Sequence, residues 1–126
     1  MTDTSKLPIS RVDTLLDKLE EINNKLDSMK YVVETGQSED ESQWYRIWSD
    51  GWIEQGGSNL TSTINVEPLT FVQPFTKLPM LTVCAVTTAG SFQNGNINAY
   101  NLTVTGFTKQ CQANVIQGWT WYACGY

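Results

Sequence analysis

Apolar residues recur at Val12, Leu15, Leu19, Ile22, Leu26, Met29 and Val33, an unbroken alternation of three- and four-residue steps. That spacing keeps one narrow stripe of a helix apolar and is the seam of a coiled coil. With Val12 at heptad position a, Val12, Leu19, Leu26 and Val33 fall at a, and Leu15, Ile22 and Met29 fall at d. Leu at a with Ile at d disfavours two strands, and Leu16 at e widens the stripe, so the seam predicts a parallel trimer. Asp13, Asp17, Glu20, Asn24 and Asp27 keep the outer positions polar, and Glu21 stands four residues before Lys25, a favourable helical pair. The alternative for these heptads is an amphipathic helix folded against the rest of its own chain.

The pattern changes at Gly36. Residues 35–42 carry Gln37-Ser38-Glu39-Asp40-Glu41-Ser42, which reads as an acidic linker. Beyond it, period-two and β-branched runs predict strands at about 44–48, 52–55, 61–66, 69–73, 80–87, 97–106, 111–116 and 119–124. Asp50-Gly51 sits between two aromatic runs and predicts a hairpin with a primed turn, glycine accepting the positive φ. Pro68, Pro74 and Pro79 argue against helix in the middle of this region. The organisation is therefore an N-terminal segment over 1–8, a coiled-coil stalk over 9–34, a linker over 35–42 and an all-β, sandwich-like head over 43–126. The fold class is mainly β with an N-terminal helix. So small a head buries only part of its surface when alone, and three copies gathered by a stalk relieve that shortage.

Charge sharpens the division. Residues 1–42 hold five basic and ten acidic side chains, whereas residues 43–126 hold three of each and thirteen of the fourteen aromatics. A nearly uncharged head has no electrostatic grip on phosphates, so nucleic acid is not an expected partner. The first residues lack the apolar stretch of a secretory signal, and no apolar run is long enough for membrane insertion, so a chain made in a cytoplasm is expected. There is no histidine, and Cys84, Cys111 and Cys124 are too dispersed for a zinc site, so no metal or cofactor is expected. The cysteines are expected to be reduced, mostly buried thiols, with a single Cys111–Cys124 bridge as the alternative.

The run Trp44 to Gly57, Trp-Tyr-Arg-Ile-Trp-Ser-Asp-Gly-Trp-Ile-Glu-Gln-Gly-Gly, resembles the opening of the C-terminal head of phage and prophage tail-fibre proteins. The resemblance continues through the Phe71 to Pro79 stretch and Gly106-Phe107 to the closing Trp-Tyr-Ala-Cys-Gly-Tyr, Trp121 to Tyr126. It covers the head and not the stalk. It implies a trimeric β-structured tip, attached to the virion by its N-terminal side and recognising a bacterial surface molecule. The rod up to Val33 is short beside the long shafts of that family, so a capsid (head) or decoration fibre without a specific receptor is the alternative. Axial iron held by histidine pairs, a feature of some phage tips, has no ligands here.

Among the candidate chemistry, the three carboxylates of the head, Asp50, Glu54 and Glu67, do not converge as an acid and base would, so no enzyme is expected. Glu54 is expected to pair with Arg46 across the hairpin. Trp44, Arg46 and Trp48 alternate to one strand face, with Tyr45 and Ile47 on the other; with Trp52 they form either a sugar-stacking platform or aromatic packing, within the head or between chains. The uncharged, amide-rich stretch from Thr87 to Asn101 predicts an exposed loop whose Gln93, Asn94, Asn96, Asn98 and Tyr100 hydrogen-bond a host cell-surface glycan or protein.

Overall fold

The computed structural model describes residues 8–60, 65–86, 97–111 and 118–126. The chain divides into two compact units, residues 1–30 and 31–126.

In the first unit, α1 spans Ile9–Ser28, with Pro8 in extended conformation at its N-cap. Proline there has no intrahelical N–H to lose. Glu21 pairs with Lys25 at 3.2 Å, as the spacing predicts, and with Lys18 at 3.8 Å. No residue of α1 is buried, and its seam residues Val12, Leu15, Leu19, Ile22 and Leu26 are all exposed. At about 1.5 Å per residue, this 20-residue helix is about 30 Å long. It stops short of the predicted Val33: Met29 is already extended, and Val33 lies in a strand. Tyr31, Val32 and Val33 are strand-favouring residues, and pairing along the next strand outweighs one more heptad.

The second unit opens with β1 (Val32–Gln37), followed by β2 (Gln43–Trp48), β3 (Ile53–Asn59), β4 (Val66–Thr70), β5 (Met80–Ala85), β6 (Ile97–Tyr100), β7 (Gly106–Cys111) and β8 (Trp119–Gly125). Every pairing is antiparallel. They form a five-stranded sheet, β1-β2-β3-β8-β5, and a three-stranded sheet, β4-β7-β6.

The expected acidic linker is instead a hairpin turn joining β1 to β2. Ser38 N–H donates to the Gln43 carbonyl at 2.9 Å. Asp40 Oδ1 accepts from Ser38 Oγ at 2.7 Å, Ser42 N–H at 3.0 Å and Ser42 Oγ at 2.6 Å. Such side-chain bonds to nearby backbone groups are what make Ser and Asp turn formers. The β2–β3 hairpin forms where Asp50-Gly51 predicts it, but the turn is not a primed one. Gly51 N–H donates to the Trp48 carbonyl, and Gly51 is the sole residue of the turn at positive φ (88°). That is a type I turn followed by a left-handed glycine, the usual three-residue hairpin loop.

The single strand predicted at 97–106 breaks into β6 and the start of β7, because Asn101 adopts φ 52° and Thr103 Oγ1 and N–H both bond the Gly106 carbonyl. β4 carries Pro68 within a strand, which is tolerated because β4 lies at the edge of its sheet. The predictions at 61–66 and 111–116 fall mostly outside the described residues.

Both sheets close on one aromatic core. Alternation along β8 turns Trp119, Trp121 and Ala123 inward, where they meet Ile53 of β3, Phe107 of β7, and Phe71 and Phe75 from the β4–β5 connection. The Phe71 ring centroid lies 5.6 Å from that of Trp121 and 5.8 Å from that of Phe107, and Phe107 meets Trp119 edge-on at 6.0 Å. Gln55 is fully buried among them; its amide accepts from Gln73 N–H at 3.2 Å and donates to the Gln73 carbonyl at 2.6 Å, satisfying the half-buried backbone of the β4–β5 connection.

Gly106 holds the start of β7 against β4 so closely that a Cβ there would overlap the Leu69 carbonyl oxygen. Gly106→Ala is therefore expected to destabilise the head by about 1–3 kcal/mol, the usual range for overpacking, read as a lower denaturant midpoint at unchanged slope.

Candidate functional site

Of the predicted recognition residues, Gln93, Asn94 and Asn96 lie outside the described residues. Asn98 and Tyr100 are placed on β6 rather than in a loop, both exposed, while Ile97 and Ala99 of the same strand turn toward the core. They therefore share one outward face of an edge strand.

The large sheet presents a more developed surface on the face opposite its core. Strand register places Trp44, Arg46 and Trp48 of β2 beside Glu54 of β3, with Tyr122 of β8 next in line. The expected cross-strand pair is present: Arg46 is the register partner of Glu54, with Nε 3.6 Å from Glu54 Oε2. Trp48 Nε1 donates to the same oxygen at 2.9 Å, and the Tyr122 hydroxyl donates to Glu54 Oε1 at 2.8 Å. The Arg46 guanidinium lies over the Trp44 ring, 5.3 Å from its centroid, and Trp44 in turn packs at 6.2 Å on Tyr122. A concavity of about 640 Å3 adjoins this face, lined in part by Thr35, Gln37, Trp44 and Arg46. Trp52 is not part of the platform. It packs edge-on against Tyr126 at 5.1 Å, while the Tyr126 hydroxyl donates to Asp50 at 3.2 Å.

The three head carboxylates are thus engaged separately. The Trp48 indole bond, then the Tyr122 and Arg46 contacts, hold the Glu54 carboxyl below the usual carboxylate range against a partial burial that acts the other way. Burial and the bond to Glu54 push the Tyr122 hydroxyl up to about 12. A carboxylate held ionised in this way is a hydrogen-bond acceptor rather than a proton donor. Bonds from Ser42 and Ser38 also lower Asp40 to about 2.

The pH dependence follows from these directions. Asp40 and Glu54 are both depressed on folding, so their contributions are complete above the unfolded carboxylate values and are lost as pH falls through the folded ones, about 2 for Asp40. Tyr122 is raised, so its contribution is complete below pH 10 and is lost as pH rises through about 12. The head is expected to show a flat stability plateau between about pH 5 and 9, with Tyr122→Phe flattening the alkaline limb in pH-dependent denaturation.

A second polar group lies inside the fold, where the sequence pointed to none. Lys109 of β7 is 1% exposed, with its ammonium 3.4 Å from Glu67 of β4, its direct register partner. Glu67 also accepts from Trp119 Nε1 at 3.2 Å and from Asn59 Nδ2 at 3.1 Å, and the Lys109 ammonium sits 5.5 Å over the Trp119 ring. The alternation Phe107, Lys109, Cys111, all buried, is the sequence signal that turns Lys109 inward. No disulfide joins Cys84, Cys111 and Cys124, and Cys84 is exposed rather than buried because it lies on the outer face of β5. Among the described residues no cluster of metal-ligating side chains forms, and no helix is long and apolar enough to cross a membrane.

Two solved tail-fibre structures share this fold. One is an N-truncated R2-type pyocin tail fibre, at TM-score 0.53 and 19% identity, covering 76% of this chain and 39% of that one. The other is a C-terminal portion of the R2 pyocin fibre of P. aeruginosa, at TM-score 0.50 and 19% identity, covering 75% of this chain and 26% of that one. This chain therefore spans well under half the length of either fibre. No family model and no curated protein matches the chain. The expectation of a tail-fibre-like β head agrees with these structures at the level of fold.

Proposed function

We propose that the chain is a virion fibre protein, made in the bacterial host cytoplasm, whose head binds a host surface receptor and performs no catalysis. The fold shared with R2 pyocin tail fibres carries this reading. Three copies join through α1, whose exposed seam is the surface a coiled coil covers, and residues 1–8 attach to a virion protein. The receptor is a surface saccharide: the outward face of the large sheet combines indole and phenol rings with an Arg46–Glu54 hydrogen-bonding pair, the chemistry that stacks on a sugar ring and bonds its hydroxyls.

Purified full-length chain, labelled and mixed with host cells, is expected to bind them and to be displaced by soluble polysaccharide from the same surface. Binding displaced only by protease treatment of the cells would replace the saccharide with a protein receptor. Absence of binding to any host cell would leave a structural capsid or decoration fibre. Release of reducing ends from the polysaccharide would overturn the non-enzymatic reading.

A further inference from the structure

Arg46 is the one cationic side chain in the strands of the large sheet, and its own chain uses only part of it. Glu54 receives its two short hydrogen bonds from neutral donors, Trp48 Nε1 at 2.9 Å and the Tyr122 hydroxyl at 2.8 Å, while Arg46 reaches it through Nε at 3.6 Å. That distance makes an ion pair and not a hydrogen bond. Of the contacts that keep Glu54 ionised, the Trp48 bond acts most strongly and the Arg46 charge least. The Arg46 side chain is 45% exposed, and its terminal amino groups bond no acceptor among the described residues. The guanidinium is nonetheless held in place, by the Trp44 ring 5.3 Å from it and by the Glu54 charge beside it.

The concavity of about 640 Å3 next to Arg46 is lined by residues of β1 and β2 alone, and Arg46 is the one charged side chain in that lining. Register sets Thr35 opposite Arg46 and Gln37 opposite Trp44, both exposed, with neither side chain hydrogen-bonded among the described residues. Glu34 alternates to the other face, where the Tyr45 hydroxyl donates to it at 3.3 Å. Glu54 offsets part of the Arg46 charge, but it does not line the concavity, and both its oxygens are taken by Trp48 and Tyr122.

We infer that this concavity is a subsite for an anionic sugar, whose carboxylate or phosphate pairs with the terminal amino groups of Arg46 while Thr35 and Gln37 bond its hydroxyls. The inference rests on the reading of the head as a saccharide-binding tip and names the class of sugar that its outward face takes. A planar guanidinium fork matches two oxygens of one anionic group, a fit that a single sugar hydroxyl does not offer. The volume lies within the ligand-pocket range of about 300–1000 Å3 and suits one or two rings. Because Trp44 and Glu54 already orient the guanidinium, little ordering remains to be done when a ligand enters.

The test is a titration of isotope-labelled full-length chain with glucuronic acid, N-acetylneuraminic acid, glucose 6-phosphate and neutral glucose, following the Arg46 Nε–H and Trp44 indole N–H signals by NMR. At least one anionic sugar is expected to move both signals and to bind about tenfold or more tighter than glucose, the effect of a charge-assisted hydrogen bond. Added salt should narrow that difference. A response to the two carboxylic acids alone assigns the anion as a carboxylate, and a response to glucose 6-phosphate alone assigns it as a phosphate. Arg46→Gln is expected to bring the best anionic sugar down to the level of glucose, and Arg46→Lys, which keeps the charge and loses the fork, to fall between. Glucose binding the parent chain as tightly as every anionic sugar would overturn the subsite, as would an anionic preference that survives in Arg46→Gln. Signals unmoved by all four sugars, in a chain that still binds host polysaccharide, would also overturn it and leave the saccharide-binding tip standing. A chain that binds neither the sugars nor host polysaccharide would overturn both.

Discussion

Glu67→Ala is expected to destabilise the head by about 3–5 kcal/mol, because it leaves the Lys109 ammonium in the core without its carboxylate. The asymmetry of the pair sets the size of the effect. Lys109 is 1% exposed and Glu67 22% by side chain, so a carboxyl-free variant can hydrate the Glu67 site but not the ammonium opposite it. The Trp119 indole N–H and the Asn59 amide lose an acceptor at the same time. A loss of this size is a large part of the total stability of a small domain and is expected to lower the melting temperature by 12 °C or more, at roughly 4–8 °C per kcal/mol. Tryptophan fluorescence during heating reads it directly. Removing both charges, in Glu67→Leu with Lys109→Met, is expected to recover most of the loss, since a buried ion pair contributes little net stability over apolar residues of similar volume. A Glu67→Ala head within about 1 kcal/mol of the parent would mean that Lys109 reaches water and that the buried pair is misplaced.

The second large effect concerns assembly. Changing Leu19 and Ile22 of α1 to Gln is expected to reduce the solution mass from three chains to one while leaving the near-ultraviolet signal of the head unchanged, because those residues lie outside the unit that contains the aromatic core. Glutamine keeps the helix propensity of the segment, so the variant removes the apolar seam rather than the helix. Attachment to cells should then fall far more than any single contact can explain. Three linked heads gain about 10²–10⁴ in avidity over one, and the variant forfeits that gain without touching the binding surface. Surface plasmon resonance on immobilised host polysaccharide separates the two contributions. Unchanged intrinsic affinity with fast dissociation is the expected result, and slow dissociation from a monomer would contradict it.

What was legible in the sequence, and what was not, divides by the range of the interactions involved. The helix, the Asp50-Gly51 hairpin, the Arg46–Glu54 pair and the two-faced alternation of Trp44 to Trp48 all depend on neighbours in sequence or on one tight turn. The end of the helix does not. Tyr31, Val32 and Val33 satisfy a heptad and a strand equally well, and the outcome is decided by β1 pairing with β2, with Val32 opposite Trp48. The acidic residues of 37–42 read as solvating, while their Ser-x-Asp-x-Ser spacing, which builds the β1–β2 turn, carried the decisive information.

The site was legible only in halves. Trp44, Arg46, Trp48 and Glu54 were visible as one hairpin face, but Tyr122 joins them through β8, more than sixty residues away in sequence. Its side could have been read from Trp119, Trp121 and Ala123, since three large or apolar residues at alternate positions turn Thr120, Tyr122 and Cys124 to the opposite face. Lys109 was hidden for a different reason. The predicted strands end at 106 and resume at 111, so Lys109 fell in a connection, where a lysine reads as solvent-facing, and Glu67 reaches it only through the β4–β7 register.

The central claim is a fibre of three chains that presents three heads. Light scattering on the purified chain tests it most directly, because neither the seam of α1 nor a multivalent tip has meaning in a single copy. The account predicts a mass about three times 14.2 kDa at micromolar concentration, independent of moderate salt because the seam is apolar. A stable species of 14.2 kDa would contradict it and would mean that the exposed leucines of α1 are not the joint of an assembly.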